Sequence, residues 1–91
     1  MQFNARVVVM PQKEILDPQG KAVEGSLNQL SETEIGNVRI GKNIEFTIQS
    51  DSHEMALAEV KNLSKKLLAN MIMEDFHIEI QPAWKINSGL E

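Results

Sequence analysis

Cysteine is absent from the 91 residues, which removes a disulfide framework, a thiolate nucleophile and a cysteine-ligated metal site in one step. No apolar run approaches the ~20 residues needed to cross a bilayer, and no basic, apolar leader opens the chain. It therefore reads as soluble and untargeted, compatible with a reducing cytoplasm. Positive charge is scarce as well: 9 Lys and Arg against 13 Asp and Glu give a net charge of −4. That balance opposes the phosphate attraction on which nucleic-acid affinity rests. A glycine-rich phosphate loop is missing, because Gly41-Lys42 leads into a strand rather than a helix. No serine sits in a nucleophile elbow. His53 opens a helix and His77 lies on the polar face of a strand, neither at metal-ligand spacing from another histidine or a carboxylate. Glu74-Asp75 falls in a turn, where a solvated pair is the ordinary reading rather than a general acid and base. No catalytic constellation, repeat or low-complexity segment is found.

What is present is an apolar content of 42% distributed with clear periodicity. A chain this short makes one small domain and buries only about 60% of its unfolded surface, so partners would add stability it does not supply itself. Phe3, Ala5, Val7 and Val9 alternate with Gln2, Asn4 and Arg6, the period of a strand with one buried face, and Pro11 ends it. Val8 and Met10 break the alternation by placing apolar groups on the face that should be wet. Either that face is covered by another chain or two surface apolar residues are tolerated.

Asp17 can accept hydrogen bonds from the first free N–H groups of a helix, and Pro18 suits the first helical position. Val23, Leu27 and Leu30 recur at i, i+4 and i+7 on this helix, which ends near Leu30. Gly20, one turn inside, costs roughly 1 kcal/mol against alanine. Either something approaches that backbone closely, or a capped helix tolerates a glycine. Ser31 to Gly36 is a polar connection. Asn37 to Ile40 reads as a short strand, Gly41-Lys42-Asn43 as a turn, and Ile44 to Gln49 as the second arm of a hairpin. Asp51 and Glu54 have capping-box spacing at the start of a second helix, on which Leu57, Val60, Leu63 and Leu67 form the expected buried stripe. Asn70 closes it in a left-handed conformation. Phe76, Ile78 and Ile80 alternate along a last strand stopped by Pro82.

This order, β-α-β-β-α-β, predicts an α+β fold: a mostly antiparallel, ferredoxin-like sheet of four strands with both helices on one face. Residues 1–81 form the domain and 82–91 a tail. Within the tail, Trp84 is expected to pack somewhere, and Leu90-Glu91 reads as an expression-vector remnant. Arg39 and Lys42 flank the turn and could meet an anion, an acidic partner surface or only solvent.

Three stretches, Leu16-Asp17-Pro18-Gln19-Gly20, Val38-Arg39-Ile40-Gly41-Lys42 and Leu67-Leu68-Ala69-Asn70, in this order and at these separations, resemble the small PurS subunit of phosphoribosylformylglycinamidine synthase. The likeness extends to about Gln81. It departs at Ser31-Glu32, where a glycine and an aromatic are expected, and at Met71, where proline is expected. The resemblance implies a non-catalytic subunit of purine biosynthesis, acting in the cytoplasm. It would bridge an ATP-dependent, PurL-type synthetase subunit and a PurQ-type glutaminase subunit, and support ammonia transfer between them. Whether such a chain counts as an enzyme is open, since it contributes no catalytic residue. No cofactor is expected on the chain; ATP and Mg belong to the synthetase. Asp17, Pro18, Gln19, Gly20, Arg39, Gly41 and Lys42 are then candidate partner contacts. Val8, Met10, Phe76, Ile78 and Trp84 are candidate contacts of a homodimer or higher homo-oligomer, in which the last strand pairs with the partner's sheet. The alternative is a small-molecule-binding regulatory domain of the same topology. An RNA-binding domain is rejected, because Phe3 and Phe46 fall on the inward series and the charge is acidic.

Overall fold

A computed structural model describes residues 1–13 and 16–84. Strand β1 (Gln2–Pro11) is followed by helix α1 (Pro18–Leu30), strand β2 (Lys42–Gln49), helix α2 (His53–Leu63) with a π turn over Ser64–Leu68, and strand β3 (Glu74–Pro82). The sheet has three strands in the order β2-β1-β3, both pairings antiparallel. The α+β character stands, but the four-stranded sheet does not. Asn37 to Ile40 is not a strand, and no hairpin precedes β2. Asn37 turns the chain with φ of 60°. The N–H groups of Val38 and Ile40, which a ladder would need, donate instead to the side chains of Glu24 and Asp17.

β1 is central, and it alone has a fully buried inner row, Phe3, Ala5, Val7 and Val9. Across it, Val7 faces Ile44 on one side and Ile78 on the other, and Ala5 faces Phe46 and Ile80. The last strand pairs with its own β1, so the expected pairing of Phe76 to Ile80 with a partner's sheet is corrected. Phe76 and Ile78 are half-buried against the chain's own core.

α2 covers the sheet through a row of small residues rather than the expected leucines. Ala56, Val60 and Ser64 are fully buried, whereas Leu57, Leu63 and Leu67 are exposed. Small side chains at i, i+4 and i+8 let the helix sit close to the strands. The buried Ser64 hydroxyl donates to the Val60 carbonyl at 2.8 Å, which satisfies it locally. Ser52, not Asp51, caps the helix, accepting from the Met55 N–H at 3.1 Å. Asn70 is not left-handed; the only described non-glycine residue with positive φ is Asn37.

α1 starts at Asp17 and Pro18 and ends at Leu30 as its sequence predicts, yet it does not pack on the sheet. The expectation of two helices on one face is therefore corrected to one. The molecule measures 50 × 33 × 13 Å with a radius of gyration of 16.5 Å, against about 12 Å for a compact domain of this length. One consequence is that Leu30, at the end of α1, is 85% exposed. The other is that Ile44, Phe46 and Ile48 of β2 are only partly covered. Among the described residues no helix is long and apolar enough to cross a membrane. Leu90-Glu91 and the rest of the tail beyond Trp84 lie outside the described residues.

Candidate functional site

The three stretches singled out in the sequence come together at one end of the sheet. Asp17 is the joint. One carboxylate oxygen accepts from the Gly20 N–H at 2.9 Å, capping α1, and the other accepts from the Ile40 N–H at 2.9 Å. Farther along the helix, Glu24 accepts from the Val38 N–H at 3.2 Å. Asn28 closes both main-chain groups of Ile35, at 2.8 and 2.9 Å. The segment Ile35 to Ile40 is thus strapped along α1 by side chains of the helix itself.

Gly20 has its explanation here. A Cβ at this position would collide with the Val38 carbonyl and the Asp17 carboxylate. The close approach expected at this glycine occurs, and the approaching group is the chain's own strap. Gly41 is equally constrained, because its Cβ would fall on the Val9 carbonyl and the Met10 sulfur. Met10 therefore folds over Gly41, and Val8, paired between Asn43 and His77, is half-buried on a face otherwise polar and charged. Arg6 and Glu79 form an ion pair at 2.8 Å on that face.

Arg39 donates to the Pro11 carbonyl, and the Lys42 ammonium to the Leu68 carbonyl at 3.4 Å. Both residues are exposed, and each ties the strap to a neighbouring element. A groove of about 420 Å³ runs between Leu16, Asp17, Gln19, Ile40, Asn70 and Met73, with Pro18 on its wall. It takes residues from all three stretches. Trp84 does not pack; it is 73% exposed in the turn after β3. Two features escaped the sequence reading: Glu24 and Asn28 as the holders of the strap, and the exposed run Met71-Ile72-Met73. The second had a signal, since three consecutive apolar residues between a helix and a strand depart from the polar composition of a turn.

His53 lies 3.3 Å from the Ile80 carbonyl oxygen and edge-on to the Phe3 ring, and His77 is 3.8 Å from Glu79. Among the described residues no three of His, Cys, Asp or Glu come together to hold a metal ion.

The Ile40 and Gly20 N–H groups hold the Asp17 carboxyl below the usual carboxylate range, and Arg39 adds to the effect. A lowered folded-state value means that the ionised carboxylate stabilises the fold. That contribution is fully present above the unfolded value of about 3.9 and is lost as pH falls through the folded value beneath it. The expected result is a melting-temperature difference between this chain and Asp17→Asn that is constant from neutral pH to about pH 4 and shrinks at lower pH. A difference independent of pH down to full protonation contradicts it.

A family model described as PurS, phosphoribosylformylglycinamidine (FGAM) synthase, matches residues 4–82. The phosphoribosylformylglycinamidine synthase subunit PurS of Bacillus subtilis (strain 168) is 37% identical over 79 residues, 87% of this chain and 93% of that protein. The crystal structure of Methanocaldococcus jannaschii PurS, one of the subunits of formylglycinamide ribonucleotide amidotransferase in the purine biosynthetic pathway, is 30% identical with a TM-score of 0.77. That match covers 88% of this chain and 96% of the other. A chain in the structure of PurLQS from Thermotoga maritima shares the fold, with a TM-score of 0.81 at 23% identity over 89% of this chain and 99% of that one. The extent and identity of these matches, together with the three stretches meeting around one groove, show that this chain belongs to the PurS family of phosphoribosylformylglycinamidine synthase subunits.

Proposed function

We propose that this chain is the non-catalytic assembly subunit of its synthase, bridging the synthetase and glutaminase subunits so that ammonia released by one reaches the other. The observation that carries this reading is the convergence of Leu16 to Gln19, Ile40 and Asn70 on one exposed groove, in a family whose Thermotoga maritima member belongs to a PurLQS complex. The chain binds no cofactor of its own in this reading; ATP and Mg act on the synthetase, in the cytoplasm. Co-purification tests it: the chain, with either partner immobilised, should retain the other. Direct association of synthetase and glutaminase without the chain, at equal strength, contradicts it.

A homodimer is part of the same reading. Its best support is the apolar surface left open by α1, where Leu27 and Leu30 are exposed and Ile44, Phe46 and Ile48 of the sheet are half-covered. Val8 and Met10 offer less, because their face is polar. Burying such surface against a second copy is an economical way for a thin, open chain to gain stability. Leu27→Glu combined with Leu30→Glu is expected to weaken self-association roughly 100-fold, since two apolar contacts become charges. Sedimentation equilibrium reads it directly, and an unchanged mass contradicts the placement of the contact on α1.

A further inference from the structure

The sheet has two outer edges, β3 and β2, and they are treated differently. Antiparallel strands offer alternate residues to each neighbour, so every second residue of an outer strand turns its main-chain N–H and C=O away from the sheet. On the β3 side the Ala83 N–H donates to the Gln2 carbonyl and the Gln12 N–H to the Met73 carbonyl, which with the β1–β3 register sends Phe76, Ile78 and Ile80 outward. That edge is guarded at both ends. The Glu74 N–H is taken by the Asn70 carbonyl at 2.7 Å, the His53 ring nitrogen lies 3.3 Å from the Ile80 carbonyl oxygen, and Pro82 has no N–H to offer. On the β2 side the Ser50 N–H donates to the Met1 carbonyl, and the β1–β2 register then turns Asn43, Glu45, Thr47 and Gln49 outward. Among the described residues no turn or cap hydrogen bond of the main chain reaches these four. β2 contains no proline, its register runs from Lys42 to Gln49 without a bulge, and Lys42 and Glu45 are its only charges. The devices that usually blunt an edge strand are therefore present on β3 and missing from β2. α2 lies over β3 and β1, and Ile44, Phe46 and Ile48 stand half-buried along the open edge.

The side chains of β2 select what fits there. When a strand pairs antiparallel with its own copy about a twofold axis, outward residues must oppose outward residues, so the permitted registers move in steps of two. Two of them give the longest overlap. One sets Glu45 opposite its own counterpart, and like charges directly opposed repel. The other sets Phe46 opposite its counterpart, Ile44 opposite Ile48, Glu45 opposite Thr47 and Asn43 opposite Gln49. Apolar then meets apolar on one face, while on the other a carboxylate meets a hydroxyl and two amides meet each other. We infer that β2 pairs in this second register with β2 of a second copy, so that three strands from each copy form one continuous sheet. The apolar row Ile80, Ala5, Phe46 runs on without a break into its counterpart. This deepens the homodimer and rests on it, naming the edge and the register by which the two copies join.

The absence of cysteine makes the test direct. The Glu45→Cys chain is mixed with a tagged Thr47→Cys chain, allowed to exchange, and oxidised. Opposed residues of a hydrogen-bonded pair lie about 5.5 Å apart at Cα, within disulfide reach, whereas Glu45 and its own counterpart lie about 8 Å apart on the diagonal, beyond it. The expected product is the mixed, covalently linked pair, with little linkage in either variant alone. Thr47→Pro should in addition weaken self-association roughly 30-fold by sedimentation equilibrium, because symmetry removes two ladder bonds at once. Its lost N–H faces outward, so the pairing of β2 with β1 is kept; should this variant fail to fold, the disulfide decides alone. A dimer that forms no mixed disulfide overturns the edge pairing and leaves the homodimer standing. Equal linkage in Glu45→Cys alone overturns the register. If the unaltered chain sediments as a monomer at micromolar concentration, the homodimer falls and this inference with it.

Discussion

Gly20→Leu is expected to detach the strap from α1 and destabilise the chain by about 3 kcal/mol, the scale of a forced steric clash in a packed region. The first atom of the new side chain coincides with the Val38 carbonyl and with the carboxylate of Asp17. Neither can yield cheaply, since Asp17 is held by Gly20 and Ile40 and Val38 by Glu24. Relief requires moving the whole segment Ile35 to Ile40, and with it Arg39 and Lys42, which anchor it to Pro11 and Leu68. Thermal unfolding together with the amide spectrum of residues 35–42 checks the prediction. Gly25→Leu is the matched control, because nothing lies within 4 Å of a Cβ there. Equal melting temperatures for the two variants would mean that the strap bears no load.

Gly20 also illustrates how far the residues alone reach. Local rules place the start of α1 correctly, because a capping aspartate before proline needs no tertiary information. The same holds for β1, whose alternation from Phe3 to Val9 follows directly from one buried face. That a glycine one turn into the helix marks a close approach is also visible, but the identity of the approaching group is a tertiary fact. The strand expected at Asn37 to Ile40 fails for the same reason. Its β-branched residues favour extension, and its backbone N–H groups are then claimed by Asp17 and Glu24, which lie fourteen or more positions away in sequence. On α2 the expected stripe is right at Val60 and wrong at Leu57, Leu63 and Leu67. Leucine outranks alanine and serine in any hydrophobic count, yet Ala56, Val60 and Ser64 face the sheet because they permit close contact. The groove was half legible: Leu16 to Gly20, Val38 to Lys42 and Leu67 to Asn70 stood out by resemblance, and the fold brings them together beside Met73, which no motif contains.

Omitting this chain should produce the largest functional effect. In the proposed bridging role, glutamine hydrolysis and the ATP-dependent step belong to two other subunits, so the nitrogen passed between them is lost to solvent unless the two sites are held together. Holding reactants in place replaces a bimolecular encounter by an effectively intramolecular one, a difference that reaches several orders of magnitude in well-oriented systems. Added ammonium bypasses the transfer, because it reaches the synthetase directly. The two nitrogen sources therefore separate loss of a bridge from loss of a catalyst. Arg39→Glu with Lys42→Glu should act in the same direction as omission, by opposing an acidic partner surface.

The decisive measurement is product formation by synthetase and glutaminase, with and without this chain, with glutamine or ammonium as the nitrogen source. The bridging account predicts that without the chain the glutamine-dependent rate collapses while the ammonium-dependent rate is largely kept, and that adding the chain restores the former. A full glutamine-dependent rate in its absence, or equal failure of both nitrogen sources, would contradict it.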